Sequence, residues 1–172
     1  LAKAGHRAAF LTRRSFQSGR VAPLLKAYLA FVRPKVEYAS SVACPTSHRH
    51  SDLIERVQRD FTRHLFRKCK LAPRTYEQRL KFLHIDTLRK RRAKLDLVLC
   101  FKMFHKQLSS CDVLSRSKST RLLRNNTHLL KETNERKCRN DYFSNRIVEL
   151  WNAIPQNIIT GSIDDFKRFI KL

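Results

Sequence analysis

The amino-acid sequence predicts an all-α protein: a basic helical bundle followed by a loose linker and a small C-terminal helical unit. Three observations predict it. Apolar residues recur at spacings of three and four along most of the chain, which is the period of an amphipathic helix. Only 3 glycines and 5 prolines occur in 172 residues, which leaves little material for the tight turns of β architectures. Hydrophobic residues make up 42%, enough to build a core, so a wholly disordered chain is excluded.

The elements follow in order. Leu1, Ala4, Ala8 and Leu11 fall on one stripe and predict an opening helix that Gly19 breaks. Pro23 suits the first turn of a second helix, with Leu24, Leu25, Tyr28 and Val32 on its apolar face. Arg33-Pro34 should end or kink that helix, because proline lacks an N–H and crowds the turn before it. The stretch from Glu37 and Tyr38 to Val42 fits either a helix or a short strand.

Ser51-Asp52 predicts the start of the next helix. Ile54, Val57, Phe61 and Leu65 form its apolar stripe. Arg56, Arg59, Arg63 and Arg67 repeat the same spacing two residues later, roughly 200° round the axis and so on the opposite face. Thr75 and Gln78 have capping-box spacing and predict a short helix to about Leu83. Thr87 can cap a long helix from Leu88 to about Lys106. Its second half, Leu95 to Phe104, is apolar nearly all round and reads as buried.

Residues 109–140 are dominated by Ser, Asn, Thr, Lys and Arg and read as a mobile or loosely packed linker. A helical pair closes the chain. Phe143, Ile147, Leu150, Trp151 and Ile154 make one stripe, stopped by Pro155. Ser162 and Asp165 make a second capping signal ahead of Ile163, Phe166, Phe169 and Ile170. The domain organisation expected is a bundle over 1–107, a polar linker over 108–140 and a C-terminal pair over 141–172. The pair should dock on the bundle through Trp151 and Phe166.

Charge narrows the function. Lys and Arg number 37 against 14 acids, a net charge of +23, and residues 1–107 hold +18 of it. Such an imbalance calls for a polyanionic partner, a nucleic acid or an anionic membrane surface. No run approaches the 18 or so apolar residues a transmembrane segment needs. Five widely spaced cysteines without a CxxC fit reduced thiols, hence a nuclear or cytoplasmic and not a secreted setting.

Two cationic groups stand out. The arginine stripe can follow a phosphate backbone, since a guanidinium offers paired donors to phosphate oxygens; otherwise it is a solvated face. The run Arg89-Lys90-Arg91-Arg92, with Lys94, lies in the first turns of a helix, where positive charge opposes the dipole. That penalty suggests an anion at this end; a nuclear import signal or plain solubility are the alternatives. Other chemistry finds little support. Cys44 with His48 and His50, or Cys100 with His105 and Cys111, lack the paired spacing of a zinc site. No nucleophile motif is present. Asp164-Asp165 reads as helix capping rather than a metal-binding pair. Trp151 reads as core, although a base could stack on it.

Several segments resemble one family. Tyr28, then Val32-Arg33-Pro34, then Glu37-Tyr38-Ala39-Ser40, is similar to the Y-x-x-x-V-R-P-x-x-E-Y-A-S stretch of non-LTR retrotransposon (LINE-type) reverse transcriptases. Residues 54–63 resemble I-E-x-V-Q-R-x-F-T-R of that family. Residues 76–92 resemble Y-E-x-R-L-x-x-L … L-x-x-R-R. Phe143 to Phe166 and Lys167, through Leu150-Trp151-Asn152 and Pro155, resembles F-x-x-R-x-x-x-L-W-N-x-L-P … S-x-x-x-F-K. The blocks stand in the family's order and cover most of the chain.

The resemblance implies the helical thumb and the segment after it, gripping template RNA and growing DNA. It places the palm, with its Mg²⁺-binding acids, and the fingers upstream, so these residues carry no catalytic acids or cofactor of their own. The opening Leu1 and the single Met103 likewise read as a piece of a longer polypeptide. The expected partners are therefore RNA and DNA as template–primer, and the upstream palm and fingers. The rival expectation is a stand-alone basic helical module that binds nucleic acid or chromatin without polymerase activity. A membrane-surface bundle is a further one.

Overall fold

The structure is a computed structural model that describes residues 1–42, 47–105, 114, 127–132 and 142–171. Helix is the regular structure of the described residues, with one isolated bridge at Leu129, so the all-α expectation holds. The chain divides into two compact units. The first takes Leu1–Ser40 and Pro45–Arg91, the second Ser41–Cys44 and Arg92–Leu172.

In the first unit α1 (Ala2–Ser15) packs beside the long α4 (His48–Lys68). Its buried residues are Gly5, Ala9 and Thr12, one position round from the stripe expected at Leu1, Ala4, Ala8 and Leu11. Leu11 is exposed. The cause is Gly5. A Cβ there would meet Val36 Cγ1 at 2.4 Å and the Val57 methyls at 3.2 and 3.3 Å, so the face without bulk is the one that fits against its neighbours. A reading that follows only large apolar residues turns the helix the wrong way.

The second helix does not stop at Arg33-Pro34. After α2 (Val21–Ala27) the chain widens into one π-helical turn (Tyr28–Val32) and runs on as α3 (Arg33–Glu37). The wider turn moves the carbonyls that the Pro34 ring would otherwise strike. Leu24, Tyr28, Val32 and Val36 all point into the core. Residues 38–42 form a turn rather than a helix or strand.

Helix α4 starts at His48 after Ser47, three residues before the expected start, and buries Ile54, Val57, Phe61 and Leu65 as the periodicity predicts. Helix α5 (Tyr76–Leu83) opens on the full capping box, with both the Thr75 and the Gln78 bonds made, and ends on His84 in the left-handed region at φ 52°. Helix α6 (Leu88–Phe104) follows, with Thr87 Oγ1 accepting from the Lys90 N–H at 3.2 Å.

The division between units falls inside α6, at Arg91/Arg92, and not at residue 107. The second half of α6 carries Val98, Cys100 and Phe101 in one core with α7 (Phe143–Asn152), α8 (Gln156–Ile159) and α9 (Ile163–Phe169). Trp151 and Phe166 are fully buried there. The indole ring lies 5.3 Å from Phe104 and 6.0 Å from Phe166, and Phe166 lies 4.5 Å from Phe101. Leu150 and Phe169, expected on the apolar faces, are about half exposed, and Val148 is buried instead.

Pro155 follows the end of α7 and precedes α8. Ser162 caps α9 by accepting from the Asp165 N–H at 3.2 Å. Residues 127–132, expected to be loose linker, are pinned to α7. Asn152 bonds both the N–H and the C=O of Leu129, at 3.0 Å each. Asn145 does the same for Glu132, and Trp151 Nε1 donates to the Thr127 carbonyl at 2.9 Å. A polar sequence becomes ordered here because side-chain amides replace the missing helix partners of its backbone. Most of the remaining linker residues, and with them Cys111, lie outside the described residues, as does Cys44.

Candidate nucleic-acid interface

Helix α4 presents its arginines on the face away from the core. Arg56, Arg63 and Arg67 are exposed and Arg59 is half-buried. Arg56, Arg59 and Arg63 line an open concavity of about 640 Å³, together with Arg49, Asp52, Leu53 and Asp60. Arg49 stands seven residues, two turns, before Arg56. Sequence reading missed it because the helix was started at Ser51, and Ser47 was the signal that would have found it.

The stripe is not purely cationic. Asp60 sits within it, 3.8 Å from Arg56 and 3.6 Å from Arg63. These are exposed pairs, each worth well under about 1 kcal/mol, so a phosphate can displace Asp60 at little cost. Arg59 is held differently. Its guanidinium lies over the Tyr76 ring at 5.2 Å, which fixes its position while leaving its N–H donors for a ligand.

The second cluster is divided by the fold. Arg91 donates to Glu37 at 2.5 Å, and Glu37 also pairs with Arg33 at 3.6 Å. Arg92 is buried. Lys94 donates to the Lys171 carbonyl at 2.7 Å. Arg89 and Lys90 alone of the five are exposed. Lys90 borders a second open groove of about 620 Å³ with Lys81 and His84, but Glu77 and Asp86 share that lining, so its field is mixed.

The anion expected at the start of α6 is already present in the protein. Glu55 of α4 accepts from the N–H groups of Leu88 and Arg89, both at 3.3 Å, at the positive end of the helix. The dipole penalty that pointed to an external ligand is therefore met by an internal carboxylate. Glu55 belongs to a partly buried network. Tyr76 Oη donates to Glu55, Gln58 Nε2 donates to Tyr76 Oη and to the Asp86 carbonyl, both at 3.0 Å, and Tyr28 Oη donates to Gln58 Oε1 at 2.7 Å. Burial, with the nearby acids, raises the pKa of both tyrosines far above the ordinary value, so they remain donors.

Of the residues marked by the family-like motifs, Glu37 is the acid shared by Arg33 and Arg91, Pro34 is exposed on α3, and Tyr38 is 74% exposed. Trp151 and Phe166 are core and do not offer a stacking surface. Asp164 and Asp165 are exposed at the start of α9, 3.7 Å from Lys167 and 3.2 Å from Arg168 respectively. Among the described residues no group of three metal-ligating side chains converges. Cys100 is fully buried, and its thiol pKa is pushed up by burial and by Asp96, which suits packing. No described helix is long and apolar enough to cross a membrane.

Compared with family models, with curated proteins and with solved structures, the chain matches none of them.

Proposed function

We propose that this chain binds nucleic acid through its phosphate backbone, as the thumb and following segment of a retrotransposon-type reverse transcriptase. In this reading it grips RNA–DNA template–primer and is not catalytic by itself. Catalysis, with its Mg²⁺, belongs to a palm outside these residues. The observation that carries the reading is the outward arginine face of α4: Arg49, Arg56, Arg59, Arg63 and Arg67 on one helix of a chain with a net charge of +23. The spacing suits a phosphate track, because residues on one helical face rise about 5–6 Å per turn, close to the phosphate separation along a strand. The four motif blocks in family order support the assignment to a polymerase rather than to an unrelated basic module.

The test is binding of the chain to an RNA–DNA hybrid across a salt series. Five backbone contacts give a slope of log affinity on log salt of about −4 to −5. Arg56→Ala/Arg63→Ala flattens it by about two units, while Arg89→Ala/Lys90→Ala leaves it nearly unchanged. A slope indifferent to the α4 pair would reduce the stripe to a solvated face.

A further inference from the structure

Arg79 carries a charge that its own surroundings do not balance. The residue, on α5, is 7% exposed. Its Nε donates to the Thr62 hydroxyl at 3.3 Å, Nη1 to the Arg74 carbonyl at 2.9 Å and Nη2 to the Arg59 carbonyl at 3.5 Å. All three acceptors are neutral. Among the described residues no carboxylate forms an ion pair with it, whereas Arg91 pairs with Glu37 and Arg146 with Asp96. A buried cation without a counter-charge is costly, and proteins seldom retain one without use.

The charges around Arg79 have its own sign. Burial first, and then Arg63 and Arg59, pull its pKa below the ordinary arginine value. The Tyr76 ring gathers two of the three guanidinia, with Arg59 at 5.2 Å and Arg79 at 5.7 Å from its centroid. Arg59 and Arg63 also line the open concavity on α4. Arg59 and Arg63 thus face the opening, with Asp60 3.6 Å from Arg63, and Arg79, outside its lining, is held beside them through the Arg59 carbonyl and the Tyr76 ring. An anion there would be met by three guanidinium groups, one already held in place by backbone carbonyls.

We infer that Arg79, Arg59 and Arg63 form a discrete binding site for one phosphate group, filled by a backbone phosphodiester when the chain holds nucleic acid. This rests on the nucleic-acid reading for the identity of the ligand, not for the existence of the site. Arg79 is the positioning cation. Its guanidinium sets the depth at which the phosphate enters, and Arg59 and Arg63 close over it. It also makes this contact differ from those of Arg49 and Arg56, which line the concavity from exposed positions on α4 with no fixed guanidinium behind them.

Two measurements on the whole 172-residue chain test it. First, the Nε–H signals of a ¹⁵N-labelled chain are followed while inorganic phosphate, and separately an RNA–DNA hybrid, is added. Sodium chloride of equal ionic strength is the control. The expected result is a saturable shift of the Arg79 signal with both ligands and none with chloride. Second, Arg79→Met removes the charge at similar length. The variant should melt no lower than the wild type, because a buried uncompensated charge is gone. Its hybrid affinity should fall about tenfold at low salt, and the salt slope should flatten by about one unit.

Each outcome decides. A hybrid that binds with a full slope in Arg79→Met, and leaves the Arg79 signal unmoved, overturns the site and leaves the nucleic-acid reading intact. A signal that shifts with phosphate in a chain that ignores the hybrid keeps the site and removes that reading. Silence toward both ligands overturns the site, and this measurement on the wild type does so even where Arg79→Met fails to fold.

Discussion

Gln58 in the first unit and Trp151 in the second hold comparable places. Each is essentially unexposed, at 1% and 0%, and each ties one helix to its surroundings. Their means are opposite. Gln58 does it through directed hydrogen bonds that link Tyr28, Tyr76 and the Asp86 carbonyl. Trp151 does it through ring packing against Phe104 and Phe166, with one bond to Thr127. Both units also put acids to structural use. The first unit has 21 Lys and Arg against 6 acids, and three of those acids are engaged by its own groups: Glu37 by Arg33 and Arg91, Glu55 by Tyr76 and the start of α6, Asp60 by Arg56 and Arg63. In the second unit Asp96 is buried against Arg146, while Asp164, Asp165 and Glu149 stay on the surface beside lysine or arginine. The comparison teaches that a strongly cationic exterior is compatible with a specified interior. Glu37, Glu55 and Asp96 serve the interior, and arginines outnumber acids on the outward face of α4.

The largest expected effect breaks the aromatic lock. Trp151→Ala removes a fully buried ring and orphans the Thr127 carbonyl. It should cost about 3–5 kcal/mol, read by urea denaturation followed by circular dichroism. A cost near 1 kcal/mol would mean that the ring packing is not what holds the second unit. The polar lock should break next. Gln58→Leu strips Tyr28 of its acceptor and Tyr76 of a donor, for about 3 kcal/mol. Adding Tyr28→Phe to that background should recover roughly 1 kcal/mol, because a hydroxyl with no acceptor is removed. If the two losses simply add, the network is not a unit and the contrast with Trp151 fails.

Gly5→Ala sharpens the comparison on the helix-packing side. Alanine in a helix interior gains about 1 kcal/mol over glycine. Here the new methyl meets Val36 Cγ1 at 2.4 Å, in a fully buried side chain that has no room to swing away. Overpacking of this kind costs about 1–3 kcal/mol, so a net loss of about 1–2 kcal/mol is expected. A gain in Tm would show that α1 can slide along α4. Below it stands Thr75→Ala, which removes one half of the capping box on α5 and should cost about 1 kcal/mol, measured in the same denaturation series.

How much of this was legible in the sequence follows from which forces have a short-range signature. The core face of α4, the capping box at Thr75, the N-cap at Ser162 and the burial of Trp151 and Phe166 all declare themselves within a few residues, as period or as motif. Gly5 was invisible because close packing rewards the absence of a side chain, which a hydrophobic count scores as nothing. The continuation through Pro34 depended on a π-helical turn that no local rule marks. The 127–132 strap depended on Asn145 and Asn152, whose partners are 13 and 23 residues away. The site divides likewise. The α4 arginines were plain from spacing, but the fate of residues 89–94 was settled by Glu37, Glu55 and Lys171, at 54, 34 and 77 residues' remove. Arg79 shows in sequence as one more arginine, and only the lack of a carboxylate beside it in space sets it apart.

The smallest effect concerns pH and bears on the outward field itself. His64 of α4 has its pKa held below 6.5, first by burial and then by Arg13 of α1 and by Lys68 and Arg67. The free chain therefore binds less than the unfolded chain's share of protons at this ring. Its stability from this group is full above the ordinary histidine pKa and declines as the pH falls below about 6.5. A polyanion on the α4 face cancels the repulsion from the three cations, so the pKa of His64 rises on binding and a proton is taken up. Hybrid affinity should then increase between pH 7.5 and 5.5 at constant salt, and His64→Asn should reduce that increase. The C–H shifts of the His64 ring, titrated with and without hybrid, give the same answer directly. An unmoved His64 titration in the bound state would mean that the polyanion does not reach the Arg13–Arg67 end of α4, and would confine the contact to the stretch from Arg49 to Arg63.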